Sequence, residues 1–166
     1  MRLKVFPLFA AVLLLVACGS SEETVTTGGG GTVVTPSTGG PRAGTIEDFQ
    51  VNVGDRVFFA LDSSELSGEA RSTLDRQAAW LNQYPQAQLR IEGHCDERGT
   101  REYNLALGDR RANAVRNYLV AQGISASRLD TISYGKERPA VVGSNESSWA
   151  QNRRGVSVIT SGAPIN

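Results

Sequence analysis

The strongest constraint on this chain is a stretch with no pattern at all. Residues 19–44 read GSSEETVTTGGGGTVVTPSTGGPRAG, dominated by Gly, Ser and Thr and interrupted by Pro36 and Pro41. Neither a helical nor a strand period runs through them. Such a composition cannot bury enough apolar surface to repay the entropy of ordering it. It reads as a disordered tether with a relaxed span of roughly 25–30 Å. What folds must therefore lie beyond it, in residues 45–166, a length that suits one domain. With 40% hydrophobic residues the chain can build a core, and 17 basic against 17 acidic residues leave it neutral. Neutrality argues against nucleic acid as a partner, since that binding is driven by phosphate neutralisation.

Ahead of the tether the pattern is that of an address. Arg2 and Lys4 precede a run from Val5 to Ala17 that is apolar apart from Pro7. This is the length of a secretory h-region and is short for a membrane span. The run ends Leu15-Val16-Ala17-Cys18, which resembles a bacterial lipobox. Residues 1–17 are then a cleaved lipoprotein signal peptide, and residues 18–44 a lipidated N-terminus with its flexible linker. Cys18 would carry the acyl chains that hold the protein in the lipid bilayer, and several chains anchor durably where one does not. Gly19, in place of an Asp, points to the outer membrane. With Cys18 consumed, Cys95 is the last thiol, so the mature chain can form no internal disulfide.

In the folded part strands and helices alternate. Residues 56–61 (RVFFAL) read as a buried strand. Ser67 caps a helix that carries Leu74, Ala78 and Leu81 at helical spacing, and Pro85 ends it. Residues 87–93 alternate apolar and polar, as a half-buried strand does. A polar loop, 94–100, leads into a helix over 101–122, with Gly123 just past its end. Strands at 129–134 and 155–160 follow, with a short helical turn between them near 146–151. The order β-α-β-α-β-(α)-β predicts an α+β domain, a four-stranded sheet with helices packed on one face.

Chemistry concentrates in residues 94–119. At ~100° per residue, Leu105, Gly108, Ala112, Val115 and Leu119 form one stripe, the expected core face. Arg111 falls at the edge of that stripe and Arg110 points to solvent, so the two adjacent arginines are inequivalent. An edge-buried guanidinium needs an acceptor, and Asp96 is a candidate. The pair supports two readings. It is a structural ion pair, or a negative and a positive group held apart to receive a zwitterion's ammonium and carboxylate. His94 and Cys95 suggest a metal site or a Cys–His nucleophile at first sight. Zinc needs three or four ligands, and neighbours at a strand end point to opposite faces, so neither is expected. His94 reads as a packed strand-end residue, and Asn152-Arg153-Arg154 as a clamp leading into the last strand. No cofactor, metal or catalytic residue is expected.

The motif Gly93-His94-Cys95-Asp96, with Gly99, Tyr103-Asn104, Leu107, Arg111-Ala112 and Val115, resembles that of the OmpA-like peptidoglycan-binding domains. Ser133-Tyr134-Gly135-Lys136, Pro139 and Asn152-Arg153-Arg154 match as well. With lipobox and tether, the whole chain looks like the peptidoglycan-associated lipoprotein (Pal) family. The resemblance implies an OmpA-like domain that binds the diaminopimelate of peptidoglycan stem peptides, Asp96 taking its ammonium and Arg111 its carboxylate. Asn104, Leu107 and Asp62 would shape the pocket. It also implies TolB and other Tol proteins as partners, an outer-membrane location facing the periplasm, and a role in membrane integrity and division. Cys95 stands where the family has Thr, Gly108 where it has Ser, and Ala60 and Leu61 replace an acidic and an aromatic position. The competing class is a cell-wall hydrolase or transferase, for which no acid–base pair or activated nucleophile is evident.

Overall fold

The computed structural model describes residues 40–163. The signal peptide, Cys18 and most of the tether lie outside them. The described residues belong to one unit, Ser37–Asn166. They build helices α1 (Ile46–Asp48), α2 (Gly68–Gln83), α3 (Arg101–Ala121) and α4 (Glu146–Asn152), and strands β1 (Arg56–Phe58), β2 (Gln88–His94), β3 (Leu129–Gly135) and β4 (Arg154–Ser161). The sheet order is β1-β4-β2-β3, with β2 and β3 parallel and the other pairs antiparallel. The parallel pair is joined by α3, as a parallel connection requires. This is the α+β architecture expected from the sequence.

The helices form where capping and period agree. Ser67 Oγ accepts from the Ala70 amide and Thr100 Oγ1 from that of Tyr103, each satisfying a donor the helix leaves open. Past α3, Gly123 takes φ +91°, the left-handed conformation that suits glycine just beyond a helix. Leu74, Leu81, Leu89, Ile91, Val115 and Leu119 meet in one core between the helices and the sheet. On the opposite face Arg90 and Val158 are exposed.

Contact between α3 and β2 is closer than side chains permit. A Cβ on Gly93 would stand 1.8 Å from the Gly108 carbonyl oxygen, and one on Gly108 would stand 2.3 Å from Ser133 Oγ. Two glycines facing each other let the helix backbone rest on the strand. That contact carries the middle of α3 up to the loop that follows β2.

Four expectations need correction. The first strand is three residues, not six. After Phe59 the chain leaves the sheet, and Asp62 adopts φ +54° in a turn. Leu105 is half exposed, while Asn104, Leu107 and Arg111 are buried, so the buried stripe of α3 is rotated toward the site. Residues 42–44, placed in the tether, are folded. The Arg42 carbonyl accepts from Thr45, and the Gly44 amide donates to Asp48 at 2.9 Å. Finally, α1 and a π-helical stretch, Phe49–Gly54, precede β1. Its β-branched valines and Asn52 carry weak helical propensity, which hides it from a periodicity reading. Phe49 drives it into place, fully buried with its ring centroid 4.9 Å from that of Trp80.

Candidate functional site

A cavity of about 320 Å³ opens where β2 gives way to α3. All five residues singled out for ligand binding line it: Asp62, Asp96, Asn104, Leu107 and Arg111. Leu61, Cys95, Arg98, Tyr103 and Arg153 line it too, and none of these five was assigned to binding from the sequence.

Arg111 is not at the edge of the buried face but inside it, 1% exposed. Its acceptors are three backbone carbonyls rather than Asp96. Nε donates to Ser63 at 2.8 Å, one terminal nitrogen to His94 at 2.8 Å and the other to Ala60 at 3.1 Å. The guanidinium also lies 5.2 Å from the Phe59 ring centroid. Burial lowers its pKa, against the opposing pull of Cys95 and Asp96. Neutral carbonyls leave the positive charge uncancelled. A guanidinium has five N–H donors; these bonds use three, and Cys95 stands beside the others.

Asp96 is 5% exposed and equally well held. The Arg98 side chain grips it with Nε at 3.2 Å and a terminal nitrogen at 2.6 Å, and the Arg98 amide donates at 3.1 Å. Arg153 adds a contact at 3.3 Å. Burial pushes the Asp96 pKa up, but these hydrogen bonds outweigh it and hold the carboxyl below its ordinary range. Neither a hydrogen bond nor a salt bridge joins Asp96 to Arg111. Asp96 is paired with Arg98 and Arg153 instead of with Arg111.

Other groups fix the frame. The Asn104 side chain donates to the carbonyls of Arg98 at 2.7 Å and Thr100 at 3.0 Å, so it locks the loop rather than facing a ligand as a free amide. Lys136 donates to the carbonyls of Glu97 and Gly99, and the Trp149 indole to Glu97. At the rim, the Tyr103 hydroxyl donates to Asp62. Asn152-Arg153-Arg154 is the expected clamp. The Asn152 amide binds Ala140 and Val141, and Arg154 the carbonyl of Arg138. Arg153 combines clamp and site, reaching Phe59, Asp96 and Glu146.

Cys95 and His94 point to different sides. Cys95 lines the cavity with its thiol donating to the Asn104 carbonyl at 3.3 Å, and burial raises its pKa. His94 packs against Tyr134 with ring centroids 5.5 Å apart, and Arg138 stacks on that tyrosine.

A family model described as the OmpA family matches residues 58–153, which include every cavity-lining residue. This chain belongs to the OmpA family. Among its relatives is the peptidoglycan-associated lipoprotein of Mesorhizobium japonicum, 57% identical over 122 residues that cover 74% of this chain and 73% of the relative. That of Pseudomonas aeruginosa is 57% identical over 97 residues, covering 58% of this chain and 57% of the relative. A crystal structure of the peptidoglycan-associated lipoprotein from Burkholderia pseudomallei aligns with a TM-score of 0.62 at 42% identity, covering 64% of this chain and 90% of that one. The C-terminal domain of Helicobacter pylori MotB aligns at 0.60 with 19% identity over 64% of this chain and 84% of that one, a likeness of OmpA-family fold alone. Within the family the chain sits among the peptidoglycan-associated lipoproteins.

Proposed function

We propose that this protein is a non-enzymatic tether that binds peptidoglycan through the diaminopimelate of its stem peptides. The supporting observation is one cavity presenting a buried guanidinium and a buried carboxylate that do not neutralise each other. A diaminopimelate head carries an ammonium and a carboxylate on one carbon. The carboxylate accepts from the Arg111 donors that the backbone carbonyls leave, and the ammonium donates to Asp96. Leu107 supplies apolar wall, and Asp62 with Tyr103 closes the rim. Affinity at one site can be modest, because the wall repeats its ligand and the anchor holds the domain beside it. The names of the relatives, lipoprotein and peptidoglycan-associated, point the same way. In this reading Cys18 carries the lipid in the outer membrane and the domain faces the periplasm. TolB and the other Tol proteins are its partners at the constricting envelope.

The hydrolase alternative runs against the electrostatics. A general acid needs a raised carboxyl pKa, and Asp96 is lowered; a nucleophilic thiol needs a lowered one, and Cys95 is raised.

Asp96→Asn tests the reading, because it removes the charge and keeps the shape. We expect sedimentation with purified peptidoglycan sacculi to fall at least about thirtyfold in apparent affinity, the scale of a lost buried charge partner. Binding equal to wild type refutes the assignment.

A further inference from the structure

The structure places an obstacle inside this site. Both carboxylate oxygens of Asp96 are already engaged by the Arg98 side chain, at 3.2 and 2.6 Å, so an incoming ammonium finds its acceptor occupied. Of the two cations on Asp96, Arg153 is fixed. Its side chain is 7% exposed and also bound to Phe59 and Glu146 at 3.1 and 2.5 Å. The Arg98 side chain is 33% exposed, and Asp96 is not all that holds it. Its guanidinium carbon lies 4.0 Å from the Trp149 ring centroid, and Glu146 lies 3.9 Å from one of its nitrogens. The Arg98 backbone amide still holds Asp96 when the side chain leaves.

We infer that Arg98 is a specificity-determining residue, a built-in competitor for the ammonium position that must release Asp96, keeping its stack on Trp149, before a ligand binds. The inference rests on the diaminopimelate reading of the cavity. A lone cation, such as a lysine side chain or a diamine, gains only what Arg98 gives up and does not displace it. A head that brings a carboxylate as well gains Arg111 and prevails. Arg98 thus narrows a carboxylate that would otherwise accept any cation to one that accepts a zwitterion.

The test is isothermal titration of the full chain in detergent micelles with meso-diaminopimelate, cadaverine (two ammoniums, no carboxylate) and pimelate (two carboxylates, no ammonium). Arg98→Met keeps the apolar stem and removes the competitor. We expect it to bind meso-diaminopimelate about tenfold more tightly, the scale of one exposed charge-assisted contact, to gain cadaverine binding that wild type lacks, and to leave pimelate unchanged. Unchanged or weaker meso-diaminopimelate binding by Arg98→Met, with Asp96→Asn still defective, overturns the inference and leaves the site standing. Wild-type-like binding by Asp96→Asn overturns both. A second measurement needs no variant: the Arg98 side-chain Nε–H resonance of wild type loses exchange protection on saturation with meso-diaminopimelate. Retained protection overturns the inference.

Discussion

In the proposed reading, Arg111 serves fold and ligand together. Its three carbonyl partners come from residues 60, 63 and 94, so it ties the turn after β1 to the end of β2. Arg111→Leu leaves three backbone oxygens unsatisfied, at about 1–3 kcal/mol each where water cannot replace the donor. We expect urea unfolding to report a loss of at least about 3 kcal/mol, and lost binding in that variant reports misfolding as much as a missing contact. Asp96→Asn is the cleaner probe. His94 makes a second prediction. Burial, helped by the charge of Arg154, lowers its pKa to about 4, against a weak opposing contact with the Arg138 backbone. The unfolded chain takes up that proton near 6.5. Between those values the unfolded state binds more protons, so stability rises with pH across the window and falls on acidification. The cost at pH 4 is about 3 kcal/mol from this residue. Denaturation at pH 7 and 4.5 should show a smaller pH difference in His94→Gln; an equal difference removes the assignment. The inequivalence of Arg110 and Arg111 was legible in the helical phase. The carbonyl acceptors were not, because backbone oxygens from a distant turn leave no mark in a side-chain pattern.

At the scale of elements, the cap residues and the helix-stopping Pro85 gave α2 and α3 to within a residue or two. What the pattern missed has physical reasons. The π-helical stretch is held by the burial of Phe49 against Trp80 rather than by propensity. The shortened β1 ends where Arg111 needs the carbonyls of the following turn. Leu105 belongs to the helical stripe by spacing, yet Asn104 takes the buried place because the loop it locks lies on that side. Arg98 stood in a loop, where no period exists to single it out. The contact between α3 and β2 gives an element-scale prediction. Gly93→Ala sets a methyl against a backbone carbonyl that cannot rotate away. We expect a loss of about 3 kcal/mol or more in thermal or urea unfolding, with binding falling alongside, because α3 carries Arg111. A variant of unchanged stability means that the helix moves off the strand at little cost.

For the whole molecule, no helix among the described residues is long and apolar enough to cross a membrane, so in the proposed reading attachment rests on Cys18. Cys18→Ser should release the protein from membranes into the soluble fraction of fractionated cells; retention there contradicts the lipid anchor. Near the start of the folded domain, Gly44 packs so tightly on Tyr84 that a Cβ would lie 2.5 Å from its ring. Tyr84 precedes the first residues of β2, and the cavity lies beyond its last, about 20 Å away along the strand. Β2 is flanked by β4 on one side and β3 on the other. In the proposed reading, a pull between membrane and wall is therefore applied near the two ends of β2 and directed along it. A pull in that direction would shear the ladders of the strand, many rungs sharing the load at once, rather than unzip them rung by rung.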